Sequence, residues 1–220
     1  LIQHSAGSGK SNSIAWIAYR LASVHDDNDN GIFDSVIVVT NRVVLDSQLQ
    51  DTINSFEHQA GLVEAIDEKK NTLAEAINDK KRIIICTIQK FLFAKKDMEI
   101  FRGRKFAIII DEAHQGQNGE SAKSLRRSLI DMDVATREYA AEAGIAEEDV
   151  DLTDDYINEI IGQGRHENQS FFAFTATPKG QTIENFGTEV GVKPDGEPIK
   201  APFHVYSMRQ AIEEHYILDV

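Results

Sequence analysis

Four short apolar runs recur along the chain, and each is nearly continuous rather than alternating with polar residues. They lie at Val36–Val39, Ile83–Cys86, Phe106–Ile110 and Phe171–Phe174. Continuous runs of β-branched and aromatic residues are typical of strands that are buried on both faces, as in a parallel sheet. The pattern therefore predicts four strands of one parallel sheet.

Stretches with helical spacing separate these strands. One apolar stripe follows Lys10 and a second follows Arg42; the members of the two stripes are Ile14, Ile17, Ala18, Leu21 and Ala22, then Leu45, Leu49, Ile53 and Phe56. Apolar residues three and four positions apart form the buried face of an amphipathic helix. Strands that alternate with helices predict an α/β fold, with a doubly wound parallel sheet in a three-layer αβα arrangement.

Two stretches depart from this alternation. Residues 132–168 are acidic, and we predict an insertion of short helices and loops between two core strands, forming a solvated face or, alternatively, a partner surface. All four prolines follow Thr177, together with four glycines, which predicts loops or a hairpin and a last strand near residues 203–206. Leu1–Gln3 is expected to be the end of a strand that begins outside this chain.

The net charge of −13 argues at first against a nucleic-acid partner, because binding to phosphates needs Lys and Arg. The charge is unevenly distributed. Between residues 131 and 169 there are twelve acidic residues and two basic ones. That segment carries −10 and the remaining chain about −3, so the acidity belongs mostly to the predicted insertion and the objection weakens.

Composition narrows the class of protein further. No apolar stretch approaches the roughly 20 residues that cross a bilayer, and no basic segment leads into an apolar one at the start. We therefore expect a cytoplasmic protein without a membrane partner. Cys86 is the single cysteine and lies in an apolar run, which predicts a buried core residue. The seven histidines are scattered, which argues against a zinc site.

A phosphate-binding loop is indicated between the first strand and the first helix. Its predicted nucleotide-binding residues are Gly7, Ser8, Gly9, Lys10 and Ser11. Glycines let backbone amides converge on phosphate oxygens, the lysine would reach the β- and γ-phosphates of ATP, and the last serine would bind Mg²⁺. The full pattern G-x-x-x-x-G-K-[ST] has a glycine where this chain has His4, so the match is partial.

Two carboxylates follow the third predicted strand directly. Ligands of an open parallel sheet bind beyond the carboxyl ends of the strands, so Asp111 and Glu112 should lie at the same edge as the phosphate loop. We assign Asp111 to Mg²⁺ and Glu112 to the base that activates the attacking water. An Asp-Glu pair after a strand is by itself a common solvated strand end. Its combination with a phosphate loop about a hundred residues earlier favours the functional interpretation.

Together these segments resemble a known family. The stretches Gly7–Ser11, Asp111–His114 and Phe174–Pro178 are similar to motifs I, II (the DEAH box) and III of superfamily two helicases, in the same order. The stretches Thr40–Leu49, Thr87–Phe91 and Tyr206–Glu214 resemble the restriction (R) subunit of type I restriction-modification enzymes. The resemblance implies a RecA-like P-loop NTPase domain over residues 1–205, and a linker over 206–220 toward a second RecA-like domain.

The same resemblance implies further functional residues. Arg42, Gln48, Thr87, Gln89 and Lys90 fall in motifs that touch the DNA backbone. Four of them also have a simpler interpretation: the arginine as the start of a helix, Thr87 as the cap of a strand, and Gln89 and Lys90 as solvated side chains.

Motif III residues Thr175 and Thr177 would couple the nucleotide state to domain movement, with His114 relaying from the acidic box. Thr175 could instead simply cap a strand.

The implied activity is ATP-driven translocation of double-stranded DNA within a type I restriction endonuclease. Its partners would be a second RecA-like domain and a nuclease domain of the same parent chain, and separate methylation and specificity subunits. The second domain would supply the arginine that phosphoryl transfer needs, so this chain alone should hydrolyse ATP poorly.

Three alternatives stay open at the level of sequence. Another superfamily two motor, such as an RNA helicase or remodeller, shares motifs I to III. A P-loop phosphotransferase with a small acceptor would use the acidic insertion as a lid, but it leaves Thr175 and Thr177 unexplained. A nucleotide-binding module without turnover is the third.

Overall fold

The computed structural model describes residues 1–40, 43–56, 61–66, 72–88, 90–91, 103–111 and 168–217. For residues 43–48 and Gln181 it describes the backbone alone. The predicted acidic insertion, 132–168, lies outside the described residues except for Asn168. In the described part of the chain, no helix combines the length and the hydrophobicity needed to cross a membrane.

Nine strands are present among the described residues. They are β1 (Ile2–His4), β2 (Ser35–Thr40), β3 (Val63–Ala65), β4 (Ile83–Thr87), β5 (Phe106–Ile110), β6 (Gln169–Thr175), β7 (Thr188–Val192), β8 (Pro198–Ala201) and β9 (His204–Tyr206). Seven form one sheet in the order β3-β4-β2-β5-β6-β1-β9, and all neighbours in it are parallel. Strands β7 and β8 form a separate antiparallel hairpin.

The four predicted strands are confirmed as β2, β4, β5 and β6. Every residue of β2, β4 and β5 is buried. Each of these three strands has a hydrogen-bonded neighbour on both sides, so neither its edges nor its faces reach water. This is why their sequences are continuously apolar rather than alternating.

Five helices are described: α1 (Lys10–Ala22), α2 (Val43–Ser55), α3 (Leu73–Asn78), α4 (Gly180–Phe186) and α5 (Met208–Glu213). Residues of α1 and α2 pack in one hydrophobic core with Val36 and Val38. Residues of α3 and α4 pack in a second core with Ile37 and Val39. Successive side chains of a strand point to opposite faces, so the cores lie on the two sides of the sheet. The doubly wound, three-layer αβα fold is therefore confirmed, and so is the burial of Cys86.

The stretch after Thr177 is more regular than predicted. The predicted hairpin is present as β7 and β8 and the last strand as β9, but α4 precedes them and was missed. Ile183 and Phe186 of α4 pack against the second core. A seven-residue helix contributes too few apolar positions to show a period, so its helical state depends on this packing. The short elements β3, α3 and α5 were not singled out either.

Gly187, which follows α4, is packed too closely to accept a larger side chain. Its amide donates to the Ile183 carbonyl at 2.7 Å, and an added Cβ would collide with that oxygen and lie 3.0 Å from Lys200 Cβ. We expect Gly187→Ala to lower the free energy of unfolding by about 1–3 kcal/mol, as overpacking does, in urea titrations.

Gly180→Ala is the matched control for this variant. No atom lies within 4 Å of its added methyl group, and alanine favours a helix over glycine by about 0.5–1 kcal/mol. Equal stability of the two alanine variants would contradict the close packing at Gly187.

Candidate active site

The sheet order places several predicted site residues along one edge. Strand β6 lies between β1 and β5, so its last residue, Thr175, stands between the loop that follows β1 and Asp111, which follows β5. Gln3 of β1 is opposite Thr175 in the register. Because the three strands are parallel, their carboxyl ends share one rim, as the sequence predicted.

The predicted phosphate loop, residues 5–11, contains two glycines in a left-handed backbone conformation. Gly7 and Gly9 have φ angles of 74° and 87°, a left-handed conformation that glycine adopts without steric cost. Gly9 is the N-cap of α1, which has no side-chain cap and no acidic residue in its first turn. Helix α3, in contrast, is closed by a capping box. The positive end of the α1 dipole is therefore not offset by an acidic or capping side chain of its own helix.

Lys10 and Asp111 meet across the end of β6. The Lys10 Nζ atom lies 3.4 Å from Asp111 Oδ1, and the two side chains are only 13% and 10% exposed. A long lysine side chain is needed for this contact, because two strand spacings of about 4.8 Å each separate β1 from β5. The structure thus brings together the two charged groups that the sequence assigned to phosphate and to metal.

The surrounding residues fit a magnesium nucleotide better than a metal ion alone. Ser5 is buried at the start of the loop, and its Oγ atom has no hydrogen-bond partner among the residues described. Ser11 is half-buried in the first turn of α1. No group of three His, Cys, Asp or Glu residues in the described part could hold a metal. One hydroxyl and one carboxylate suit Mg²⁺, which takes most remaining ligands from water and phosphates.

The motif III threonines lie beside this site. Thr175 is fully buried at the end of β6, and its Oγ1 accepts a hydrogen bond of 3.2 Å from the Thr177 amide. The side chain of Thr177 is exposed. This local turn fixes the path of the chain as it leaves the sheet next to the phosphate loop.

Two residues beside the loop, His4 and Ser13, were missed as functional candidates. His4 is buried, and its Nδ1 lies 2.6 Å from Ser8 Oγ and its Nε2 lies 3.1 Å from Ser13 Oγ. Burial lowers the pKa of the His4 imidazole; a hydrogen bond with the Ser5 backbone opposes this, and the charges of Lys10 and His204 add to it. The sequence held one signal, since His4 occupies the first glycine position of the phosphate-loop pattern.

Part of the predicted linker, 206–220, also borders the loop. The Ser5 amide donates to the Tyr206 carbonyl at 3.1 Å, and a methyl group added at Gly7 would lie 3.9 Å from Ile217. The Tyr206 hydroxyl donates to Glu214 at 2.7 Å, and this hydrogen bond raises the pKa of Tyr206 to about 12. The domain boundary at residue 205 stays a prediction.

Two of the predicted DNA-facing residues, Thr87 and Lys90, are described, and they lie apart from the Lys10–Asp111 pair. Thr87 is buried at the end of β4, which β2 separates from β5. The Lys90 ammonium donates to the Ile66 carbonyl at 2.9 Å and so joins the segment after β4 to the end of β3. Their contact with DNA stays a prediction.

Five predicted site residues cannot be located by their side chains. Arg42, Gln89, Glu112 and His114 lie outside the described residues. Gln48 lies in α2, within residues 43–48, for which the backbone alone is described.

Comparison with known proteins gives a family match over most of the chain. The family model described as SWI2/SNF2 ATPase matches residues 1–135. This range contains the phosphate loop and the acidic box.

Curated relatives are endonuclease subunits of type I restriction enzymes, which confirms the resemblance that the motifs indicated. The SauCOLORF180P subunit from Staphylococcus aureus is 31% identical over 133 residues, 57% of this chain and 13% of the relative. The HindI subunit from Haemophilus influenzae is 32% identical over 127 residues, 54% of this chain and 12% of the relative. The chain therefore spans about an eighth of the length of the relatives it matches.

Among solved structures, the Hef helicase domain from Pyrococcus furiosus is similar to this chain. The TM-score is 0.46 and the sequence identity 16%, over 84% of this chain and 31% of that chain.

Proposed function

Since the chain belongs to the SWI2/SNF2 ATPase family, we propose that it is the ATP-binding half of a double-stranded DNA translocase in a type I restriction endonuclease R subunit. The observation that carries the proposal is the 3.4 Å contact between Lys10 Nζ and Asp111 Oδ1. It supports a single site for triphosphate and metal at the rim of the sheet.

In this proposal the ion pair is exchanged when nucleotide binds. Without nucleotide, Lys10 and Asp111 neutralise each other in a largely buried position, where an unpaired charge would be costly. On binding, the lysine ammonium would turn to the β- and γ-phosphates, and the carboxylate of Asp111 and the hydroxyl of Ser11 would hold Mg²⁺. The metal, when bound, neutralises charge on the phosphates. Loop amides from Gly7, Ser8 and Gly9 complete the phosphate contacts.

Glu112 is the proposed base. It follows Asp111 directly, so a carboxylate that takes a proton from the attacking water would stand beside the one that holds the metal. This chain's own residues would then bind and orient the triphosphate, while arginine from a second RecA-like domain would contribute about 10³- to 10⁵-fold in rate.

Coupling to movement is assigned to the motif III turn. Thr175 is paired with Gln3, the residue two positions before the loop. A shift of the loop would therefore also move the end of β6. Thr177 and His114 would pass this change to the second domain.

Arg42, Gln48, Thr87, Gln89 and Lys90 would contact phosphates of the duplex. Such contacts carry no sequence information, as a tracking motor requires.

The parent polypeptide would also contain a nuclease domain and a second RecA-like domain, and methylation and specificity subunits would complete the complex. The protein would work in the cytoplasm, where a DNA motor finds its substrate and ATP.

Duplex DNA should stimulate the ATPase of the full-length protein by about tenfold or more, because DNA binding favours the closed arrangement of the two domains. We expect stimulation to fall steeply with salt, as phosphate contacts do. Phosphate release would be measured with duplex DNA, duplex RNA and no nucleic acid. Equal stimulation by RNA would point to an RNA motor, and the absence of any stimulation would favour a small-acceptor phosphotransferase.

A further inference from the structure

His4 holds an unusual position at the end of β1. The full phosphate-loop pattern has a glycine here, yet His4 is 8% exposed and both ring nitrogens contact serine hydroxyls. A buried imidazole at this point either obstructs the loop or supports it. Its contacts decide between the two.

The proton arrangement follows from the distances. Ser8 Oγ lies 2.6 Å from the Ser5 carbonyl oxygen, a separation that requires a proton between the two atoms. The single hydroxyl proton of Ser8 is then used, so His4 Nδ1, also 2.6 Å from Ser8 Oγ, must be the donor. His4 Nε2 is left as an acceptor for the Ser13 hydroxyl at 3.1 Å. Neutral imidazole with the proton on Nδ1 satisfies all three contacts.

These contacts join the start of the loop, its middle and helix α1, and they add side-chain links to the backbone hydrogen bonds from Ser8 to Ser5 at 3.4 Å and from Ser13 to Gly9 at 3.2 Å. The Ser5 carbonyl lies at the start of the loop, Ser8 between the two left-handed glycines, and Ser13 in α1. Glycines lose more conformational entropy on ordering than other residues, so a brace across them lowers the entropy lost when phosphate binds. The Tyr206 ring packs on His4, with centroids 5.1 Å apart, and holds the imidazole from the β9 side.

We propose that His4 is a positioning residue of the phosphate loop: its ring nitrogens hold Ser8 and Ser13 so that the loop keeps its phosphate-accepting shape before nucleotide arrives. This inference rests on the proposed ATP-binding function. His4 touches no reacting atom in this scheme; it acts through the loop backbone.

Protonation would break the brace. A protonated ring cannot accept from Ser13, and it would add a positive charge near Lys10 of α1 and His204 of β9, while Tyr206 of β9 is bound to Glu214 of α5. The folded protein favours neutral His4, whose pKa lies below the ordinary value of 6.5. The brace is therefore complete above about pH 6.5 and is lost as the pH falls through the lowered pKa.

The test compares variants of the full-length protein by nucleotide affinity, turnover and melting temperature. His4→Ala removes both contacts, and we expect the Kd for Mg·ATP to rise about tenfold, with a smaller effect on kcat. Ser13→Ala deletes one hydroxyl and should raise Kd about threefold without a folding defect. His4→Asn keeps a donor for Ser8 and should lie between His4→Ala and wild type.

Two readouts separate positioning from a merely structural role. In His4→Ala/Ser13→Ala the Kd should match that of His4→Ala, because the Ser13 hydroxyl acts through the ring. From pH 7.5 to 5.5 the wild-type Kd should rise more than that of His4→Asn, since other titrations are common to both. His25→Ala, which removes an exposed histidine bound to the Ser23 carbonyl, is the matched control and should change neither value.

The outcomes are distinguishable. Wild-type affinity in Ser13→Ala and His4→Asn, with strong ATP binding by the wild type, would overturn the role of His4 alone. A wild-type protein that binds no nucleotide would overturn the proposed function as well. A lower melting temperature in His4→Ala with unchanged Kd would make His4 a structural residue and would also overturn the inference.

Discussion

Lys10→Met should strongly reduce ATP hydrolysis by the full-length protein and also destabilise it. The variant removes the cation proposed for the β- and γ-phosphates, and loss of such an electrostatic contact lowers kcat by about 10²- to 10³-fold. It also removes the ammonium group that lies 3.4 Å from Asp111, a carboxylate only 10% exposed, and breaking a buried pair from one side costs about 3 kcal/mol. Phosphate release and calorimetric melting measure the two effects.

The double variant Lys10→Met/Asp111→Asn separates the two losses. Without the buried carboxylate charge, stability should return toward the wild-type value, while ATP hydrolysis should stay at least as low as in Lys10→Met because neither group remains. Lys81→Met is the matched control: Lys81 forms an ion pair of 3.1 Å with Glu64 and lies away from the site. We expect it to leave the ATPase unchanged. Substantial hydrolysis by Lys10→Met would show that the loop is not the catalytic phosphate site.

The second large effect is expected from Glu112→Gln. General-base catalysis contributes about 10²- to 10⁴-fold, so kcat should fall by that range. The glutamine keeps the size of the side chain, and Lys10, Ser11 and Asp111 remain to bind Mg·ATP, so the Kd should change little. Single-turnover hydrolysis and equilibrium binding of ATP by the full-length protein check the two parts of the prediction.

Glu189→Gln is a suitable control for this variant, because Glu189 is an exposed carboxylate on β7. It should behave as wild type in both assays. If Glu112→Gln lost ATP binding together with hydrolysis, Glu112 would be a ligand of the nucleotide or metal rather than the base. If it kept its turnover, another group would have to activate the water.

The core of the fold could be predicted because buried strands have continuous apolar sequences that can be recognised locally. Strands β2, β4 and β5 were recognised from continuous apolar runs, since each residue in them is buried. The phosphate loop and the acidic box were recognised for a similar reason: their residue types serve chemistry within a few consecutive positions. Short elements such as α4 could not be recognised in this way, because they contain too few apolar positions to show a period and are stabilised by tertiary packing.

The arrangement of the site depends on contacts between distant residues. The sequence predicted that Lys10 and Asp111 share one edge, but the position of Thr175 between them follows from strand order, which no local pattern encodes. His4 was noted as a departure from the phosphate-loop pattern, and its partner Ser13 was not considered. The last strand was predicted near residues 203–206, but its neighbour was not: β9 pairs with β1 and brings the Tyr206 ring against His4.

The amino-acid sequence by itself determined the fold class, the two phosphate-site motifs and the resemblance to restriction endonuclease subunits, because each of these can be recognised from short stretches of consecutive residues. Tertiary structure alone decided which strand stands beside which, that the Lys10 ammonium reaches the Asp111 carboxylate, and that an imidazole braces the loop. These features depend on pairing and packing between segments far apart in the chain, because the order of the strands in the sheet determines which polar and charged side chains come into contact.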